Sequence, residues 1–155
     1  MMTDESMIRE ALAVAELAGK ADEVPIGAVL VDGEGNILAK AANRTETDKS
    51  AVAHAELLAI AKACRLRKSR RLTDCTIYVT LEPCPMCAGA IASARISRVV
   101  FGASDPRAGA YGSLIDLSAL PLESRPQVSG GVLAEECLAP IRRFFQEKRK
   151  QTKWK

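Results

Sequence analysis

A chain of 155 residues suits a single domain, for which about 100–200 residues is usual. With 48% apolar and 26% charged residues it has the balance of a globular protein rather than a disordered or fibrous one. No apolar run reaches the roughly 20 residues of a membrane span, and a polar start with three acids in the first ten residues does not read as an export leader. The net charge of +3 hides an asymmetry, because residues 142–155 hold seven bases and one acid and leave the remainder at −3.

In chain order, residues 5–20 predict an amphipathic helix, with Ile8, Leu12, Ala15 and Ala18 at helical spacing. Val24-Pro25 breaks it. Residues 27–31 and 37–42 predict two strands of a hairpin around the turn Asp32-Gly33-Glu34-Gly35-Asn36. Residues 43–50 are polar and read as a loop. Residues 53–63 are rich in helix formers and put His54 and Glu56 in a first turn. Residues 76–81 (TIYVTL) predict a strand, residues 86–94 a second inner helix and residues 98–103 (RVVFGA) a further strand. Residues 104–113 read as a loop, 114–120 as a short helix and 127–131 as a short strand. The closing helix spans residues 133–150, with Leu133, Cys137, Ile141, Phe144 and Phe145 on one face. Strands alternating with helices predict an α/β domain with a central sheet covered on both sides.

His54 is the only histidine in the chain, and it stands in His54-Ala55-Glu56. Pro83-Cys84-Pro85-Met86-Cys87 follows about thirty residues later. Imidazole and paired thiolates are ligand types that zinc prefers, and structural zinc normally closes with four protein ligands, whereas catalytic zinc keeps one position for water. Three ligands plus a carboxylate therefore point to chemistry. Cys84 and Cys87 at i, i+3 lie on one side of a helical turn, and a helix start favours thiolates. The plain alternative is a structural zinc completed by Cys64, Cys75 or Cys137; as an uneven set of five without an export signal, the cysteines fit a reducing cytosol better than a disulfide framework. The basic runs at Arg65, Arg67, Lys68, Arg70 and Arg71 and at residues 142–155 suit a polyanion, or else a solvated loop and helix end. The Phe144-Phe145 pair reads as core, with one ring available to a substrate base as the alternative.

His54-x-Glu56 with Pro83-Cys84-x-x-Cys87 resembles the zinc deaminase signature, in which the glutamate is not a ligand. The likeness extends over residues 7–150 and is to the bacterial tRNA adenosine deaminase family. It is carried by Glu23 to Val31, Asn43-Arg44, His54-Ala55-Glu56, Leu81 to Ile91, Arg98 to Ala103, Asp105, Arg107, Gly109, Gly112, Ser113, Gly130 to Cys137 and Phe144-Phe145. The resemblance implies a three-layer α-β-α fold of the cytidine-deaminase type, with a five-stranded mixed sheet and helices on both faces. It implies one Zn²⁺ per subunit held by His54, Cys84 and Cys87, and Glu56 as the catalytic proton shuttle. It also implies substrate contacts from Asn43, Asp105, Arg107 and Phe145, a tRNA anticodon stem-loop as partner, a cytoplasmic homodimer and conversion of the wobble adenosine to inosine. Three departures stand out: Arg107 replaces a frequent lysine, Tyr111 a frequent alanine, and residues 121–128 lack the usual histidine and asparagine. The zinc motif is shared with guanine, cytosine and nucleotide deaminases, so a free-base or nucleotide deaminase is the alternative. A riboflavin-pathway deaminase spaces its cysteines more widely, and a zinc-stabilised RNA-binding module would have no use for Glu56.

Overall fold

Alternate residues of each inner strand enter different cores, and this divides the molecule into layers. In the computed structural model, which describes residues 2–152, the chain runs α1 (Asp4–Lys20), β1 (Gly27–Val31), β2 (Ile37–Ala42), α2 (Ala55–Arg67), β3 (Thr76–Leu81), α3 (Pro85–Ser93), β4 (Arg98–Ala103), a 3₁₀ turn (Leu117–Ala119), β5 (Gln127–Ser129) and α4 (Ala134–Thr152). Lys153 and Lys155 of the basic tail lie outside the described residues. The sheet order is β2-β1-β3-β4-β5. β1 is antiparallel to β2 and β3, while β3, β4 and β5 are mutually parallel.

Ala28, Leu30, Ile77, Val79, Val99 and Phe101 share a core with Ala59 and Ala63 of α2 and Ala88 and Ile91 of α3. Val29, Val31, Tyr78 and Val100 point the other way, onto Ile8 and Ala11 of α1 and Cys137 of α4. This period of two gives a three-layer sandwich with α1 and α4 on one face and α2 and α3 on the other. The expected five-stranded mixed sheet is thus present. No helix among the described residues is long and apolar enough to cross a membrane.

The differences from the sequence reading are local. Thr3 and Ser6 form a capping box that starts α1 at Asp4. Residues 114–120 yield only one 3₁₀ turn, capped by the Asp116 side chain. α2 extends to Arg67 and ends at Lys68, which adopts a left-handed backbone with φ 54°. Two of the five residues of the first basic cluster, Arg65 and Arg67, therefore lie in the last turn of a helix, and Arg67 is tied to Asp74 at 2.8 Å.

At Gly102 the α4 layer approaches β4 so closely that a Cβ would run into Cys137 Sγ and come within 2.8 Å of Thr80 O. Gly102→Ala is expected to cost about 1–3 kcal/mol, the usual range for overpacking, and to push α4 outward. A thermal or urea melt reads the first effect, and a fall in substrate affinity reads the second, since α4 forms a wall of the cavity described next.

Candidate active site

The site forms where α2 and α3 begin. His54 and Cys84 are the N-cap residues of these helices, in extended backbone with φ −77° each, and neither side chain makes a capping hydrogen bond. Ser, Thr, Asp or Asn at such a position would turn inward to bond the helix N–H groups; histidine and cysteine leave their donor atoms free. Pro85 follows at a first helical position, where its missing N–H costs nothing. Cys87 then falls in the first turn of α3 and is fully buried.

His54 Nδ1 lies 3.7 Å from Cys84 Sγ and 3.5 Å from Cys87 Sγ. Bonds of about 2.05 Å to nitrogen and 2.3 Å to sulfur at a tetrahedral angle require an N···S edge of about 3.6 Å. Both N···S edges therefore match those of a zinc tetrahedron, and all three atoms lie within 4.8 Å of one another. Among the described residues no fourth histidine, cysteine or acid joins this group. Cys75 and Cys137 are buried elsewhere in the core, and Cys64 is half-buried against it. The donor set fits a zinc ion with one position left open.

The electrostatics agree. The Cys84 thiol is drawn down to about 4, first by the hydrogen bond from Cys87, against the opposing effect of burial and with help from His54. Cys87, as the donor in that pair, is raised, and His54 is raised by its contact with Cys84. Two helix N-termini and a bound cation all favour thiolates. Glu56 sits in the first turn of α2 and is 4% exposed. Burial lifts its carboxyl to about 7, in the range suited to holding and releasing a proton near neutral pH.

A cavity of 840 Å³ opens over these groups, near the upper end for small-molecule sites. His54, Glu56 and Cys84 line its floor, with Asn43, Asp105, Arg107 and Phe145 around them. Every site residue expected from the sequence thus borders one space except Cys87, which is fully buried. Phe145 is no core residue: it is 37% exposed, lies edge-on to half-buried Phe144 at 5.4 Å between ring centroids, and faces the cavity. Arg142 and Arg149 of α4 join Arg107 in the lining. Asn43 is held only by two long contacts of 3.4 Å, to Val24 O and from Thr45 N, so its amide can turn to a ligand. Arg65, Lys68, Arg70 and Arg71 do not border the cavity; they follow from the far end of α2, about 20 Å along the helix by its rise of 1.5 Å per residue.

Two buried carboxylates that organise the site were missed by the sequence reading. Glu82, 2% exposed, accepts from Asp105 N, Tyr111 N, Ser113 N and Ser113 Oγ at 2.5–3.2 Å. It thereby ties the 104–113 loop to the end of β3. At Gly109 a Cβ would run into that carboxylate, which explains a glycine there. Glu23 does the same for the 43–50 loop, accepting from Glu46 N and from Thr47 N and Oγ1. The signal for both was an acid flanking an apolar strand beside a loop with many unpaired N–H groups.

Burial pushes Glu82 up, but the hydrogen bonds from Ser113, Asp105 and Tyr111 outweigh it and the carboxyl ends below its ordinary 4.5. A lowered folded-state value means that the contribution to stability is complete above pH 4.5 and is lost as pH falls through the folded value. Glu82→Gln cannot accept all four bonds, and about 1–3 kcal/mol is expected to disappear at neutral pH. The difference in melting temperature between wild type and Glu82→Gln should shrink as pH is lowered below 4.5; a constant difference would refute the assignment.

Residues 1–103 match the cytidine and deoxycytidylate deaminase zinc-binding region. The chain is 47% identical to the tRNA-specific adenosine deaminase of Bacillus subtilis, over 99% of this chain and 95% of that one. A solved structure from work on A-to-I editing by tRNA:A34 deaminases at the wobble position of transfer RNA superimposes with TM-score 0.84, at 42% identity, over 87% of this chain and 98% of the other. A guanine deaminase from Bacillus subtilis gives TM-score 0.65 at 34% identity, over 99% and 98%.

Proposed function

The chain belongs to the cytidine and deoxycytidylate deaminase family, and from that premise we propose that it hydrolyses the wobble adenosine of a tRNA anticodon loop to inosine and ammonia. The observation that carries this reading is the cavity itself. It joins the His54, Cys84 and Cys87 donor set and Glu56 to an exposed ring, Phe145, and to Arg107, Arg142 and Arg149. A free base needs neither the arginines nor the added volume, whereas RNA brings phosphates and neighbouring bases to use both. The tRNA-specific deaminases among the relatives, similar over nearly their whole length, support the same choice.

His54, Cys84 and Cys87 would hold one zinc ion per subunit. When bound, the ion acts as a Lewis acid that makes hydroxide available from water at neutral pH. Glu56 takes the proton given up by that water at its carboxylate oxygen. It delivers that proton to N1 of the adenine ring as oxygen adds at C6, then takes the second proton from the new C6 hydroxyl and passes it to the exocyclic nitrogen, which departs as ammonia rather than as an amide ion. Asn43 presents its amide to the base, and Phe145 offers a face or edge to a neighbouring base. Asp105 accepts from Arg107 N at 3.0 Å and so sets the turn that places Arg107 at the mouth. Anticodon bases are already unpaired, which lowers the cost of bringing C6 to the site. The protein works as a homodimer in the cytoplasm.

The test is a panel in which zinc-loaded protein meets an anticodon stem-loop with adenosine at the wobble position and, separately, free adenine, guanine and cytosine. Inosine in the RNA with the bases untouched is the expected result. Turnover of guanine or cytosine alone would overturn it in favour of a free-base deaminase, a reading that the likeness to guanine deaminase makes specific. In the same assay Phe145→Ala is expected to weaken RNA binding by about 1–3 kcal/mol, the worth of one aromatic–base contact, with little loss of kcat.

A further inference from the structure

Among the described residues, the Tyr111 hydroxyl is the buried side-chain polar atom left without a hydrogen-bond partner. The residue is 9% exposed, so it does not face RNA. Its backbone is fixed on three sides: Tyr111 N donates to Glu82 Oε2 at 2.9 Å, Ala110 N donates to Pro83 O at 2.8 Å, and Tyr111 forms an antiparallel bridge with Asp116. These contacts hold it beside the Glu82-Pro83-Cys84 segment that opens α3. Its ring belongs to the same core cluster as Ala55 and Ala88, from the first turns of α2 and α3. A neutral phenol can donate, and the residues next to Ala88 and Ala55 in those two turns are Cys87 and Glu56, both able to accept when ionised. Buried tyrosine hydroxyls ordinarily find a partner, and a metal-bound thiolate ordinarily has an outer one.

We propose that Tyr111 is a positioning residue of the metal site, its hydroxyl donating to the Cys87 thiolate, directly or through one water, when zinc is bound. The inference rests on the zinc reading of His54, Cys84 and Cys87. Such a donor fixes the orientation of the sulfur and draws charge from it, which leaves the ion a stronger Lewis acid. Cys87 is the ligand that needs this help, because it is fully buried and does not line the cavity, so no solvent supports it.

The test uses full-length Tyr111→Phe, which keeps the ring and removes only the hydroxyl. Zinc affinity by chelator competition is expected to fall about 10-fold, the lower end for loss of an outer partner. The thiolate-to-metal charge-transfer band of the cobalt-substituted protein is expected to shift. The metal-free melting temperature should stay level or rise, since an unpaired buried hydroxyl has been removed. Wild-type zinc affinity with an unmoved cobalt band would overturn the proposal, as would a lower metal-free melting temperature with the band in place, which marks a merely structural role. If the wild type itself bound no zinc, the zinc reading would fail and this inference with it; wild-type binding matched by the variant sinks the inference alone.

Discussion

Glu56→Gln is expected to lower kcat by about 10²–10⁴-fold, the usual worth of a positioned acid–base group, while zinc content stays at the wild-type level. The separation follows from placement. Glu56 is outside the group of three atoms that surround the metal position, so a neutral amide of the same shape leaves those donors in place. It cannot take a proton from water or give one to the leaving amine. His54 is the only histidine in the chain, so no other imidazole can assume the task. Burial already holds the carboxyl at about 7 in the metal-free protein; a cation beside it favours the ionised form that accepts the first proton. Metal analysis and single-turnover kinetics on the same preparation make the check. A near-wild-type rate in Glu56→Gln would mean that another group moves the protons.

Loss of the metal should have the larger effect on both activity and stability. His54→Ala is expected to purify without zinc and to show deamination no higher than background, because a water of pKa about 15.7 replaces one of about 7. Chelation of the wild-type protein should do the same reversibly, with activity restored by added zinc. The melting temperature should fall on chelation, since an ion that binds only the folded state contributes about 4 kcal/mol when it is a thousandfold above its Kd. His54→Ala should still fold, because the start of α2 is held by Ala55, Ala59 and Ala63 in the core rather than by the imidazole. Differential scanning calorimetry with and without zinc gives the stability result, and an unchanged melting temperature after verified zinc removal would contradict it.

Much of the frame was legible in the sequence because its inner strands, β1, β3 and β4, are buried on both faces. Residues 27–31, 37–42, 76–81 and 98–103 stand out as short apolar runs between turn signals, and the structure gives them the same bounds. The ligands were legible because zinc chemistry constrains both residue type and spacing. Other features depend on contacts that a local pattern does not carry. α2 was read four residues short since its last turn, Cys64 to Arg67, is polar or exposed and shows no apolar periodicity. β5 has three residues and exists only by pairing with β4. Phe145 looks like core beside Phe144, yet the turn of the helix between them sends the rings to different sides, Phe144 half-buried under Lys148 and Phe145 to the cavity. Glu82 gains its role from loop donors 23–31 residues away, and nothing in its immediate sequence announces that closure.

The most direct measurement maps inosine in an anticodon stem-loop that carries adenosine at the wobble position and at one other loop position, after incubation with the zinc-loaded protein. The predicted result is inosine at the wobble position alone, and none with Glu56→Gln. Unchanged RNA, together with release of ammonia from free guanine or cytosine, would contradict the account.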